Sequence, residues 1–388
     1  MSAMTTSRVQ LDSTDEPTVR KAAATLAARD LSDDLAARDR DARFSREAWL
    51  ACARFGVQGL PVPPEYGGSG STLRTVMAVM EGLGLGTADN GLLFSLNAQM
   101  WSVEMPLMRF GTDEQRRRYL PGLCSGELIG AHCMTEPESG SDAFSLRTRA
   151  RREGDRYVLD GRKSFVTNAP VADVFLVFST VDPSLGVGGI TAFLVDRGTA
   201  GLRVEREEDK MGMRTSPMAG VALDGCVVPA SQRLGAEGGG AAIFNSSMEW
   251  ERAAILSVCV GAMERELVRC VGYAKERRQF KQPIGKFPAV AGRLADMKVR
   301  LEAARGLLRR VAEIKDADAP AAMEAAIAKL FISEAWVQSS LDAQVVYGAY
   351  GYVRENGVER EIRDALASRI YSGTSDIQRL VIARWLGL

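Results

Sequence analysis

The chain has 388 residues, 46% hydrophobic and 25% charged, and its 49 Lys+Arg balance 49 Asp+Glu. At roughly 150 residues per domain this predicts two or three domains, and so ordinary a composition excludes a disordered or fibrous chain. Zero net charge gives no electrostatic reason to expect nucleic acid or an anionic membrane as the main partner, and no apolar stretch is long enough to span a bilayer.

The first 20 residues are polar and include Asp12, Asp15 and Glu16, which fits neither a secretory signal nor an acid-poor transit peptide, so a cytoplasmic location is expected. Ser13, three residues before Glu16, suggests a capping box that opens an Ala- and Leu-rich helix. "LPVPPEYGGSG" breaks that texture with Pro61, Pro63 and Pro64 and then Gly67, Gly68 and Gly70. Helical texture returns in "STLRTVMAVMEGLGL" and "QMWSVEMPLMRFG". Gly82, Gly84 and Gly86 imitate a dinucleotide fingerprint, but they follow a helical run and no βαβ unit surrounds them. They read as a helix-ending loop. No G-x-x-x-x-G-K-S/T is present, which excludes a P-loop nucleotidase.

From about 129 to 236 the runs become short and β-rich: "VFLVFST", "GGITAFLVD" and "GVALDGCVVP", with "RYVLDGRKSFVT" reading as a hairpin about Asp160-Gly161. A small antiparallel sheet or barrel is expected there. From about 238 onward the pattern is helical again, with Ile255, Cys259, Met263, Leu267 and Val271 on one stripe and Pro320 separating two long bundle helices.

The polar inventory is narrow. Six cysteines without a C-x-x-C pair are too sparse for a disulfide scaffold or a zinc site, and no metal is expected. His132 is the only histidine, so a Ser-His pair would have to use it. "GAHCMTEPESGSDAF" gathers Thr135, Glu136, Ser139, Gly140, Ser141 and Asp142 at the helix-to-β boundary. Such a stretch of hydroxyls and backbone N–H groups suits a phosphate- or carbonyl-bearing cofactor. "SFVTNAP" is a second candidate contact.

These segments carry a resemblance to the acyl-CoA dehydrogenase family of flavoproteins. The matching pieces are "PPEYGGSG" (63–70), "FGTDEQRRRYLPGLCSGE" (110–127), "CMTEPESGSD" (133–142), "GRKSFVTNAP" (161–170) and "DKMGMRTSPMAGVALDGCVVP" (209–229), followed by "KERRQFKQPIGKF" (275–287), "IRDA" (362–365) and "SGTSDIQRLVIARW" (372–385). The fold implied is α+β, mostly α: an N-terminal helical domain (1–128), a central small antiparallel β-barrel domain (129–236) and a C-terminal four-helix bundle (237–388). The cofactor implied is FAD. By resemblance Met134 and Thr135 meet the isoalloxazine, Ser141 reaches the pyrophosphate and the acyl ligand, and Phe165 and Thr167 cover the other flavin edge, Phe165 standing where the family often has Trp. Arg277, Phe280 and Thr374 match residues that hold a neighbouring subunit's FAD, which implies a homotetramer or homodimer. Val345 stands where the family usually has a Gln that contacts the cofactor.

The reaction implied is removal of an α-proton from an acyl thioester while the β-hydride passes to flavin N5, giving the enoyl thioester. It needs a carboxylate in a dry site, and burial raises a Glu pKa towards operating pH. Most of the family carries this Glu just before "GTS", where this chain has Ser372. A minority, the isovaleryl-CoA and long-chain types, supplies it from an earlier helix just before an Arg. Glu251, followed by Arg252, matches that placement, and Ser372 is suitably small. Glu249 competes, but at ~100° per residue the two side chains point about 200° apart. The bland alternative is a solvent-facing Glu251 paired with a base. Arg252 is expected to meet the pantetheine or phosphate portion of the carrier, and the Ser372 backbone N–H the thioester carbonyl. His132 is expected to pack or hydrogen-bond rather than catalyse. Met100, Trp101, Met105 and Trp250 are candidate acyl-pocket walls that read equally as plain core.

The substrate carrier is therefore CoA or an acyl carrier protein, the latter suggested by a chain that stops at "ARWLGL", as short biosynthetic versions do. The electron acceptor implied is an electron-transfer flavoprotein. Two other readings remain at this point: a flavin monooxygenase or oxidase on the same scaffold, which loses the Glu at both positions, and a flavin-containing nucleic-acid binder, which carries a basic C-terminal extension.

Overall fold

The structure, a computed structural model, describes residues 15–388. Ser13 lies outside the described residues; the first helix begins at Glu16, with Asp15 as its N-cap. The N-terminal helices are α1 (Glu16–Asp30), α2 (Leu35–Arg40), α3 (Arg46–Phe55), α4 (Leu73–Gly86), α5 (Asn90–Gln99), α6 (Met105–Phe110) and α7 (Asp113–Cys124). Thr112 and Gln115 close a capping box at the start of α7.

The glycine-rich segment corrects the sequence reading. Gly82, Gly84 and Gly86 form the last turns of α4 and not a loop. A Cβ on each would overlap a neighbouring carbonyl oxygen: Arg20 for Gly82, Val258 for Gly84 and Ala24 for Gly86. Their work is close approach between helices, which the breaker rule does not anticipate.

The central strands are β1 (Gly130–Cys133), β2 (Arg149–Glu153), β3 (Arg156–Thr167), β4 (Val174–Thr180), β5 (Ile190–Asp196), β6 (Leu202–Glu207), β7 (Met218–Pro229) and β8 (Arg233–Leu234). They form one sheet in the order β6-β7-β3-β2-β4-β5-β8, with β1 alongside β4. Most pairings are antiparallel as expected, but β4 pairs in parallel with both β1 and β2. Nor does the expected hairpin turn at Asp160-Gly161 form. Chain reversal occurs after Glu153, and β3 runs on through 160–161 with a shift in register against β7 there. Gly161, at φ +151°, lies where a Cβ would overlap Thr148, so Asp-Gly marks a bulge rather than a turn.

β4 is buried on both faces. Val174, Leu176 and Phe178 face a core shared with Leu107, Tyr119 and Leu123 of α6 and α7, while Phe175 and Val177 face Tyr157, Leu159 and Val221 inside the sheet. This explains its unbroken apolar run.

The C-terminal region holds α8 (Gly240–Ala254), α9 (Ser257–Glu276), a two-strand hairpin β9 (Arg278–Gln279) and β10 (Gln282–Pro283), α10 (Pro288–Asp316), α11 (Ala322–Tyr347), α12 (Val358–Ala367) and α13 (Ser375–Trp385). The helix breaks at Ile255–Leu256, ahead of α9, and Cys259, Met263 and Leu267 of the expected stripe are buried on α9. α9, α10 and α11 pack on one another, and α13 lies along α11. A single hydrophobic core joins the two helical regions, running from Trp49 and Met80 through Trp101 to Leu301 and Trp336. Among the described residues no helix is long and apolar enough to cross a membrane.

Candidate active site

Three elements meet at one carboxylate. Between α5 and α6 the backbone widens into a single π-helical turn, Met100–Glu104, closed by Met105 N–H on the Met100 carbonyl. Pro106 accounts for it: proline has no N–H to give the Ser102 carbonyl four residues back, and its ring crowds that carbonyl, so the helix expands by one residue. The expansion carries Ser102 towards α8, where its hydroxyl donates to Glu251 Oε2. The Ser372 hydroxyl, from the turn before α13, donates to Glu251 Oε1 at 2.6 Å. Ser372 sits at φ +55° and is followed by Gly373 at +88°, a left-handed pair that brings its side chain back to α8. Sequence reasoning weighed Met100, Trp101 and Met105 and passed over Ser102. The available signal was Pro106, four residues downstream.

Glu251 is only 8% exposed, so the solvent-facing reading does not apply to it. Burial raises its carboxyl above the usual range, against the two serine hydroxyls and the nearby Arg252 cation. Glu249 points elsewhere, as the 200° separation requires. It accepts from Lys315 Nζ at 2.8 Å and from Ala321 N at 2.9 Å, tying α8 to the α10–α11 junction. The Arg252 guanidinium is partly buried, and its Nε has no partner. Met100, Trp101 and Met105 are buried in the main core, with Trp250 packed against it. Trp101 and Trp250 stack with planes 5° apart, and Trp101 Nε1 donates to Asn97 Oδ1 at 2.8 Å.

The T-E-P loop is held from beneath. Glu136 accepts the backbone N–H groups of Arg147 and Thr148 and pairs with Lys163 Nζ at 2.7 Å. Both charges are nearly fully buried. Lys163 also donates to the Met134 carbonyl, and Ser164 N–H to the Thr135 carbonyl at 2.9 Å, so β3 fixes both residues. Met134 is buried, Thr135 and Thr167 are part-buried, and Ser141 is exposed on the outer loop. Phe165 stands at φ +54° in a β3 irregularity and is 61% exposed. The His132 ring packs on Phe178 and Phe244, its Nε2 is buried without a partner, and burial beside Lys163 lowers its pKa to about 4. No bond joins it to Ser372; its surroundings are those of a neutral packing residue.

An aromatic ring left open on strained backbone, part-buried threonine hydroxyls and an orphaned ring nitrogen suit a planar, polar-edged group such as the isoalloxazine. Arg277 and Phe280 lie apart from Glu251, at and just beyond the end of α9. The Arg277 guanidinium lies over the Tyr350 ring, and Phe280 is 88% exposed at the tip of the β9–β10 hairpin. Thr374 caps α13 by accepting Ile377 N–H. Val345 is half exposed on α11 and, being apolar, offers none of the hydrogen bonds of a Gln.

Comparison with known proteins covers nearly the whole chain. The acyl-CoA dehydrogenase N-terminal, middle and C-terminal domain profiles match residues 13–127, 131–226 and 238–387. An L-prolyl-[peptidyl-carrier protein] dehydrogenase of Pseudomonas fluorescens is 44% identical over 346 residues, 89% of this chain and 91% of the relative. The crystal structure of the prolyl acyl carrier protein oxidase AnaB has a TM-score of 0.95 at 49% identity, covering 97% of this chain and 100% of that one. A structure of PigA with FAD and proline has a TM-score of 0.94 at 38% identity, covering 97% and 98%. The chain thus belongs to the acyl-CoA dehydrogenase family and is an FAD-dependent oxidoreductase acting on the CH–CH bond of an acyl thioester.

Proposed function

We propose that Glu251 is the base that takes the α-proton, and that the acyl group is a prolyl residue carried as a thioester on a carrier protein. The observation that carries the first part is a buried carboxylate with a hydroxyl on each oxygen, set between the π turn and the α12–α13 turn. A carboxylate has about four acceptor positions, so two hydroxyls leave lone pairs free for the incoming proton. Support for the second part is the prolyl, carrier-bound chemistry in the names of the similar proteins.

Bound FAD supplies the hydride acceptor. Met134, Thr135, Phe165 and Thr167 would line it, with Ser141 on the pyrophosphate side. The backbone N–H of Ser372 polarises the thioester carbonyl, a task that needs no side chain. Arg252 receives the pantetheine portion, its unpartnered Nε providing a donor. Arg277, Phe280 and Thr374 serve a neighbouring copy's FAD in a tetramer or dimer, and an electron-transfer flavoprotein removes the electrons.

The test is anaerobic mixing of FAD-loaded protein with L-prolyl-carrier-protein thioester, L-prolyl-CoA, butyryl-CoA and free L-proline. Bleaching by the carrier-bound prolyl group, with a product two hydrogens lighter, is expected. Bleaching by butyryl-CoA alone would overturn the substrate assignment, and undiminished bleaching in Glu251→Gln would overturn the base.

A further inference from the structure

Ser102 belongs to none of the motifs that mark this chain, yet it touches the carboxylate at the centre of the site. We infer that Ser102 is a positioning residue for the reaction: its hydroxyl, delivered by the π turn, holds the Glu251 carboxylate oriented towards the α-carbon and favours its ionised form over the protonated one. The inference rests on the reading of Glu251 as the base.

Glu251 is attached to α8 by a flexible stem and is nearly removed from water, so an unsupported carboxylate there would protonate or swing. Ser102 holds one oxygen from the α5–α6 side and Ser372 holds the other from the α12–α13 side. Two anchors from different elements fix both the position and the plane of the group, which one anchor cannot do. An unbroken α-helix through 100–106 would place residue 102 one step out of phase. The π turn is therefore part of the device. The turn is itself braced. Gln99 donates to Glu104 at 2.8 Å and to the Leu123 carbonyl at 3.1 Å, and accepts Gly130 N–H at 2.9 Å, locking the turn to α7 and β1.

The charged and titratable groups around Glu251 do not replace Ser102. Arg252, on the same helix, is the one cation acting on it among the described residues, and its Nε makes no hydrogen bond. Tyr371, beside Ser372, has its phenol raised by burial, Cys259 and Glu251, and its hydroxyl meets Cys259 Sγ at 3.5 Å. Glu104 on the π turn is held by Gln99. Lys315 of α10 and Arg109 of α6 act on Glu249. Lys329 of α11 is fully buried, and the groups acting on it are Glu334, Cys259, Arg252 and Arg369.

The experiment measures the pH dependence of anaerobic flavin reduction in wild type, Ser102→Ala, Ser102→Cys, Ser102→Thr and Glu251→Gln, using whichever thioester of the panel bleaches wild type. Alongside it, the protonated-carboxyl infrared band of the FAD-free protein is titrated, with Glu251→Gln identifying the band. Loss of a hydrogen bond to a charged acceptor should move the acidic limb of the rate profile, and the infrared midpoint, up by roughly 1–2 pH units in Ser102→Ala. The shift should be smaller and of the same sign in Ser102→Cys, whose thiol is a weaker donor, and should be largely reversed in Ser102→Thr. FAD content should be unchanged. An unmoved limb and midpoint in Ser102→Ala, or in Ser102→Cys where the alanine variant does not fold, overturns the inference while Glu251→Gln remains inactive. If Glu251→Gln turns over normally, the base assignment fails instead.

Discussion

Ser372 Oγ lies 2.6 Å from Glu251 Oε1. The residue before "GTS" and the carboxylate from α8 share one volume, so a longer side chain at 372 and an inward Glu251 exclude each other. This is steric complementarity between two segments 121 residues apart.

Glu251→Gln keeps the shape, with one serine hydroxyl still donating to the amide oxygen and the other turned to accept from the amide N–H, but removes the proton acceptor. FAD binding should survive, and the rate of flavin reduction should fall by ~10²–10⁴-fold, measured by anaerobic stopped flow.

The Glu136–Lys163 pair should be indispensable to the T-E-P loop. Glu136→Ala strands a fully buried ammonium and two backbone N–H groups, at a cost of about 3–5 kcal/mol in denaturant unfolding. FAD retention on gel filtration should fall with it. Burial pushes the Glu136 carboxyl up, but Lys163 and the surrounding donors more than offset that, leaving it below the usual range.

Glu104 should give stability a pH dependence of its own. Burial raises its carboxyl to about 8, with the Gln99 bond opposing. Because the folded value lies above the ordinary one, the group's contribution is complete below about 4.5 and is lost as pH rises through about 8. Glu104→Gln is an isostere without a charge to desolvate. It should match wild type near pH 5 and exceed it at pH 9, by up to roughly 3–5 kcal/mol in urea unfolding.

Gly84→Ala should separate α4 from α9. The added methyl overlaps the Val258 carbonyl, and overpacking of this kind costs about 1–3 kcal/mol. Gly272→Ala, on the same α9 with open space around it, should be neutral or stabilising by about 0.4–1 kcal/mol. Thermal unfolding of the two variants separates the effects.

Much of the fold was legible because its markers are local. The β-rich middle, the helices on either side and the motif loops each declare themselves within a few residues. What was missed depends on partners distant in sequence. Gly82, Gly84 and Gly86 break helices in isolation, but here they admit neighbouring backbones. Asp160-Gly161 favours a two-residue turn, but Thr148 crowds Gly161 and β7 continues alongside, so the strand bulges instead. β4 pairs in parallel with β1 because the chain enters the sheet from α7, which no alternation pattern records. In the site, Glu251 stood out by its Arg252 neighbour. Ser102 did not, since helical periodicity assumes a constant phase and the π turn changes it.

The three glycines of α4 also bear on how this scaffold can vary. With carbonyls of α1 and α9 seated where methyl groups would be, α4 is a post whose spacing to both neighbours is fixed to within an atom's width. Side chains elsewhere on the scaffold can therefore be exchanged while the glycine post keeps the two helical regions in register.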